Sequence, residues 1–230
     1  AARLRDAVLV RAAQGGHRYS YAVAHSFAVL VSIEMRDVAS VRRLLAAHPV
    51  QYTDIGAQHV QMNLVLFHGF VDVLDGEIDA GIARMQRALT DPQRLMEAPG
   101  MRSLYARILL EACRVGQRQE LGVAVAKQLV ADSHSHLWDS EALRLGAEFR
   151  VALGTPTLQV QDDVHQAIEV ACRQQARMPL LRAAITQLQF SDAAGRARAT
   201  ELLTDVVATF SDDEQRHPEV QAARALLVAP

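Results

Sequence analysis

Half of the 230 residues are apolar, 22% are charged and only 5% are aromatic, a composition with enough apolar surface for a core and far from that of a disordered chain. A formal net charge of −2 and a pI near 6.5 give no general attraction for nucleic acid or an anionic membrane. No apolar run approaches the ~18 residues that a membrane-spanning helix needs; the densest stretch, 27–31, is flanked by Ser26, Ser32 and Glu34.

The predicted elements are helices throughout. Residues 2–14 carry Leu4, Ala7, Val8, Arg11 and Ala12 at helical spacing and stop at Gly15-Gly16, so 1–16 is expected to be the orphan helix of a preceding hairpin. A second helix is predicted from about Tyr19 to Met35, and a third from Asp37 to about His48, stopped by Pro49. The clearest hairpin spans Asp54 to Leu89. There Val60, Leu64, Phe67, Val71 and Leu74 make one stripe, Gly76 turns the chain, and Ile78, Ile82, Met85 and Leu89 line the return helix until Thr90-Asp91-Pro92.

Pro99-Gly100 precedes the next pair, with Leu104, Ile108 and Ala112 before Gly116 and Leu121, Val125 and Leu129 after it. Further pairs are predicted at Trp138–Leu153 with about Val160–Ala176, and at about Pro179–Phe190 with Gly195–Phe210. The segment 216–230 is predicted to hold a capping helix, Pro218 to Val228, over the open end. No alternating β-branched run predicts a strand.

The turns centred on Arg36, Gly76, Gly116, Gly154 and Gly195 recur at about 40 residues, a spacing typical of helical-hairpin repeats. The predicted fold class is therefore all-α, an α-solenoid of antiparallel hairpins with about 11–12 helices and a single repeat domain over 1–230. With Gly76 set on the turn glycine of a tetratricopeptide repeat (TPR), Gly69, Gly81, Met85 and Ala88 fall on that repeat's small and large packing positions. His68 and Asp72 stand where it prefers larger apolar or aromatic residues. The chain begins without Met inside a helical pattern, as expected of a fragment of a longer protein.

Charge is unevenly distributed. Residues 1–50 hold seven Arg against three acids, and 51–98 hold seven acids against three Arg, read as solvated faces or as a docking surface. The single lysine, Lys127, precedes Gln128 and so cannot serve a phosphate-cradling Gly-Lys-Ser/Thr loop. Cys113 and Cys172 are predicted to be buried reduced thiols of a cytoplasmic protein.

No pattern predicts catalysis. There is no Gly-x-Ser-x-Gly, no His-Glu-x-x-His and no cysteine in a catalytic context, and Ser20, Ser26 and Ser103 sit in ordinary helical positions. His134 and His136 lie in a loop without a third ligand at familiar spacing, so no metal and no cofactor is expected. Asp162 and Asp163 beside His165 read as an acidic first turn that complements a helix dipole. The expected working surface is a groove lined by the first helix of each hairpin, with His59 and Asn63, Arg102 and Tyr105, and Glu141 and Arg144 as pairs at i, i+3 or i+4. Their alternative is a solvated or hairpin-bridging role; Trp138 is read as core between hairpins or as a ligand contact.

Taken in order, the run from Gly16 to His25, Leu66 to Phe70 with Asp75-Gly76 and Gly81-Ile82, Trp138 to Gly146, Gln175 to Ala184 and Pro218 to Leu227 resembles the C-terminal tetratricopeptide-like region of bacterial signal-transduction ATPases. These include multidomain transcriptional regulators of winged-helix or LuxR type and nucleotide-cyclase-linked forms. Gly69-Phe70-Val71 and Glu141 to Arg144 depart from that family's pattern. The resemblance implies a sensor or regulatory arm. An effector shifts the attached ATPase between a closed resting state and an open, self-associating one. Implied partners are the upstream nucleotide-binding and effector domains of the same polypeptide, an effector molecule or partner protein, and further copies of the chain. Direct binding to nucleic acid or membrane is not expected. The alternative is a protein-interaction scaffold with no small-molecule effector.

Overall fold

Runs of good helix formers become helices here, and most of the breaks between the described ones fall at glycine or proline or at residues that take a left-handed backbone, such as Arg36 and Gln175. The computed structural model describes residues 1–47, 58–90, 101–132 and 135–228, without the side chains of Gln58, His59 and Gln61. Among them lie twelve α-helices, two short 3₁₀ turns and no strand. Two compact units divide the chain, Ala1–Gly116 and Gln117–Pro230. The expected punctuation at Pro49, Asp54, Asp91-Pro92 and Pro99-Gly100 lies outside the described residues.

The first unit holds α1 (Ala2–Gln14), α2 (Arg18–Glu34), α3 (Val38–Ala46), α4 (Gln58–Leu74), α5 (Ile78–Thr90) and α6 (Arg102–Val115). The second holds α7 (Gln119–Ala131), α8 (Asp139–Ala152), α9 (Gln161–Arg173), α10 (Arg177–Phe190), α11 (Arg196–Ala208) and α12 (Pro218–Val228). Pro179 falls in the first turn of α10, where its missing N–H leaves no helical bond unmade.

Left-handed residues close the turns. Arg36, Gly76, Gly154 and Gln175 have φ of 54°, 94°, 93° and 52°. After each, the next N–H reaches back five residues at 2.9 Å: Asp37 to Ser32, Glu77 to Asp72, Thr155 to Arg150 and Ala176 to Ala171. This is the Schellman closure, which satisfies carbonyls that the helix end would otherwise leave open. Gln117, φ 53°, takes the left-handed place rather than Gly116. The fifth turn is of another kind: α10 ends at Ser191 in an extended conformation, and Gly195, right-handed at φ −81°, opens α11 as expected.

Within each unit the even-numbered helices pack on one another as well as on their sequence neighbours: α2 on α4, α4 on α6, α8 on α10 and α10 on α12. That explains why α4 buries a wider arc than the predicted stripe. Met62, Leu66, Phe70 and Val73 are buried along with Val60 and Phe67, while Leu64, Val71 and Leu74 are half-buried. A helix with neighbours on several sides needs apolar residues on all of them.

Small residues allow α4 and α5 to meet at backbone distance. A methyl group built on Gly81 would lie 2.5 Å from the Gly69 carbonyl oxygen, and one on Gly69 would lie 2.6 Å from Met85 Cγ. At the other end of the chain, Val220 and Ala223 of α12 close a cluster with Leu181, Leu188, Leu203 and Phe210. Among the described residues no helix is long and apolar enough to cross a membrane.

Candidate functional site

Arginine recurs in one register on three successive even helices: Arg107 on α6, Arg144 on α8 and Arg182 on α10. All three are buried, and the residues four further on are Glu111, Glu148 and Thr186. A guanidinium in such a place needs a carboxylate partner, since an unpaired buried charge is very costly.

In the first unit, Arg107 donates to Glu111 at 3.2 Å and to Glu34 of α2 at 3.0 Å. Arg36, from the turn after α2, and Arg114 complete the surround of Glu111 at 3.2 and 2.6 Å. Burial alone would push the Glu111 carboxyl up. The guanidiniums of Arg107, Arg114 and Arg36 outweigh it and hold the group well below the usual carboxylate range.

The second unit builds a longer chain of such contacts. Arg144 donates to Glu141 at 2.9 Å and to Glu148 at 2.7 Å, and Glu148 also accepts from the Thr186 hydroxyl at 2.6 Å. Arg182 lies 3.6 Å from Glu141 and donates to Glu219 of α12 at 2.8 Å. Burial opposes the charge on Arg182, but Glu141 and Glu219 hold its pKa above the ordinary guanidinium value. Polar contacts thus join α8, α10 and α12 inside the packed layer.

The predicted groove residues are placed as follows. Glu141 and Arg144 do meet, as a buried pair facing α10 rather than open solvent. Tyr105 is fully buried, its hydroxyl has no hydrogen-bond partner among the described residues, and burial pushes its pKa up to about 12. Asn63 is buried too, with Oδ1 unpartnered among the described residues, whereas Arg102, at the start of α6, is exposed. The backbone of His59 belongs to α4; its side chain lies outside the described residues.

Other sequence readings land variously. Cys113 is buried, but Cys172 is exposed, a correction whose cause is its place on the outer face of α9, where Val164, Ala167, Val170 and Ala171 take the buried positions. His134 lies outside the described residues, and His136 pairs with Asp139 at 2.9 Å. Among the described residues no group of three His, Cys, Asp or Glu is placed to hold a metal ion. Trp138 is half-buried.

Odd-numbered helices stand apart in the second unit, and the gaps between them are clefts. The larger, about 590 Å³, lies between α9 and α11 over the end of α10. Its base is Val164, Ile168, Phe190 and Leu202, all buried or half-buried. Around its rim stand His165 and Glu169 of α9 and Arg198 of α11, all exposed. None of these three side chains has a hydrogen-bond or ion partner among the described residues. Gln187 of α10 also lines the cleft, and its Oε1 is a buried acceptor without a donor among the described residues.

A smaller cleft of about 360 Å³ lies between α7 and the start of α9, lined by Val123, Val130, Leu143 and Gly146, with Lys127 at its edge. The larger one has the size and the mixed lining of small-molecule sites, which occupy roughly 300–1,000 Å³. The groove expected from the sequence lies on the even helices and does not include this cleft. Comparison with protein-family models, with curated proteins and with solved structures gives no match.

Proposed function

We propose that the chain is a TPR-like α-solenoid acting as the sensor arm of a bacterial signal-transduction ATPase or transcriptional regulator, in the cytoplasm. Left-handed turns about 40 residues apart at Arg36, Gly76, Gln117 and Gly154, with alternate helices stacked within each unit, support the repeat architecture. The reading is of a binding module and not of an enzyme.

The observation that carries the sensor role is the cleft between α9 and α11, with an apolar base and, on its rim, His165, Glu169 and Arg198 unpartnered among the described residues. A ligand held there touches three consecutive helices at once. It therefore favours one spacing of those helices over another, and any such preference is transmitted as a shift between states of the whole protein. The attached nucleotide-binding and effector domains would be the recipients of that shift.

A thermal-shift screen of metabolites on the 230-residue chain tests the reading. A ligand that binds only the folded form at 100 times its Kd stabilises it by about 2.7 kcal/mol, or about 5–10 °C for a chain of this size. No response to any metabolite, together with tight binding to a purified partner protein, would replace the sensor by the scaffold.

A further inference from the structure

We propose that the cleft between α9 and α11 binds a small zwitterion of the amino-acid or short-peptide class, carboxylate on Arg198 and ammonium on Glu169. This rests on the sensor reading and specifies its ligand. Here Arg198 and Glu169 come from different helices, line the same cleft of about 590 Å³, and neither has an ion partner among the described residues.

Each alternative ligand class leaves one of them unanswered. A polyanion meets Glu169 and Asp192 on the rim, a polyamine meets Arg198, and a wholly apolar compound desolvates both charges for no return. A zwitterion answers both. Its ammonium has three donors, so one can serve Glu169 and another the buried Oε1 of Gln187. The planar Arg198 guanidinium suits a carboxylate bidentately, and His165, one turn from Glu169 on α9, adds a further hydrogen-bonding group.

Asp192 does not compete for the ammonium on equal terms, because its Oδ1 already accepts the Gly195 N–H at 2.8 Å at the start of α11. The apolar base of Val164, Ile168, Phe190 and Leu202 then takes an aliphatic or aromatic side chain. Recognition thus divides into two charged ends and an apolar middle, which is the plan of an apolar amino acid or a short peptide that contains one.

The test is isothermal titration calorimetry of the 230-residue chain with leucine, phenylalanine and the dipeptides Leu-Leu and Ala-Phe. Phenethylamine, which lacks the carboxylate, and 3-phenylpropionate, which lacks the amine, are the controls. The expected result is that at least one zwitterion binds and that both controls bind at least about tenfold more weakly, or about 1.4 kcal/mol. Free amino acid against dipeptide separates the two sources. Arg198→Gln and Glu169→Gln, both at exposed positions, should keep wild-type helicity by circular dichroism and each lose about tenfold or more in affinity.

Absence of binding by every zwitterion at millimolar concentration overturns the inference, as does binding that both variants leave unchanged. A metabolite of another class that raises the melting temperature would overturn the zwitterion and keep the sensor. No small molecule of any class doing so would overturn the sensor as well.

Discussion

Replacing Arg182 by methionine keeps the apolar stem of the side chain and removes the charge, with the small volume of the guanidinium tip. Arg182 is 5% exposed and lies against Glu141 of α8 and Glu219 of α12. Glu141 keeps Arg144 at 2.9 Å, so the loss falls mainly on Glu219, which is 14% exposed. Breaking a buried pair from one side costs about 3–5 kcal/mol, and the partial exposure of Glu219 puts this case near the lower end, about 3 kcal/mol. For a chain of this size that is a fall of about 6–12 °C in melting temperature. Urea unfolding followed by circular dichroism measures it, with the double variant Arg182→Met/Glu219→Leu as the control. An apolar pair has no stranded charge, so the double variant should recover most of the loss. A single variant within about 0.5 kcal/mol of wild type, or a double variant no better than the single, would refute the argument that Arg182 matters through its charge.

Gly81→Ala should cost about 1–3 kcal/mol in the same assay, since its methyl would meet the Gly69 carbonyl oxygen at 2.5 Å; Gly146→Ala, whose nearest neighbour is Ala126 Cβ at 3.3 Å, should be near neutral, and equal effects would disprove the backbone-contact argument. Tyr105→Phe deletes a buried hydroxyl without a partner and is expected to be neutral or stabilising by up to about 1 kcal/mol; a clear destabilisation would show that the hydroxyl has a use. Because the Glu111 carboxyl is held below its ordinary range, its contribution is present above the unfolded value near 4.3 and declines as pH falls below it. Wild type should therefore lose stability below about pH 4.3 with up to about 1.4 kcal/mol per pH unit more slope than Glu111→Gln, and parallel curves for the two would remove Glu111 from the acid response.

Helix positions were readable because their signals are local. A proline in the first turn of α10, or glycine at Gly76 and Gly154, acts on its own few residues. The turn at Gly195 was readable too, but not its kind: glycine serves at either end of a helix, and the extended Ser191 before it makes it an opening residue rather than a left-handed stop. Arg107, Arg144 and Arg182 also left a trace, an arginine every 37 or 38 residues with the fourth residue onward polar. Helical spacing alone reads such a residue as solvent-facing. It is buried here because the even helices have neighbours on several sides, a tertiary fact that no window of one helix contains. The α9–α11 cleft was illegible for a stronger reason. Glu169 and Arg198 belong to different helices, and their shared cavity depends on how far apart those helices stand on α10.

The exposure of Cys172, the burial of Cys113 and the presence of one lysine, Lys127, equip the second unit with two chemically distinct handles. Lys127 stands on α7 and Cys172 on α9, the two helices that border the smaller cleft. With the α-amino group blocked, a thiol-directed donor dye at Cys172 and an amine-directed acceptor at Lys127 would make this pair of helices its own ruler. Energy transfer between the dyes would then follow the outer layer as it spreads or closes, with no residue of the chain replaced.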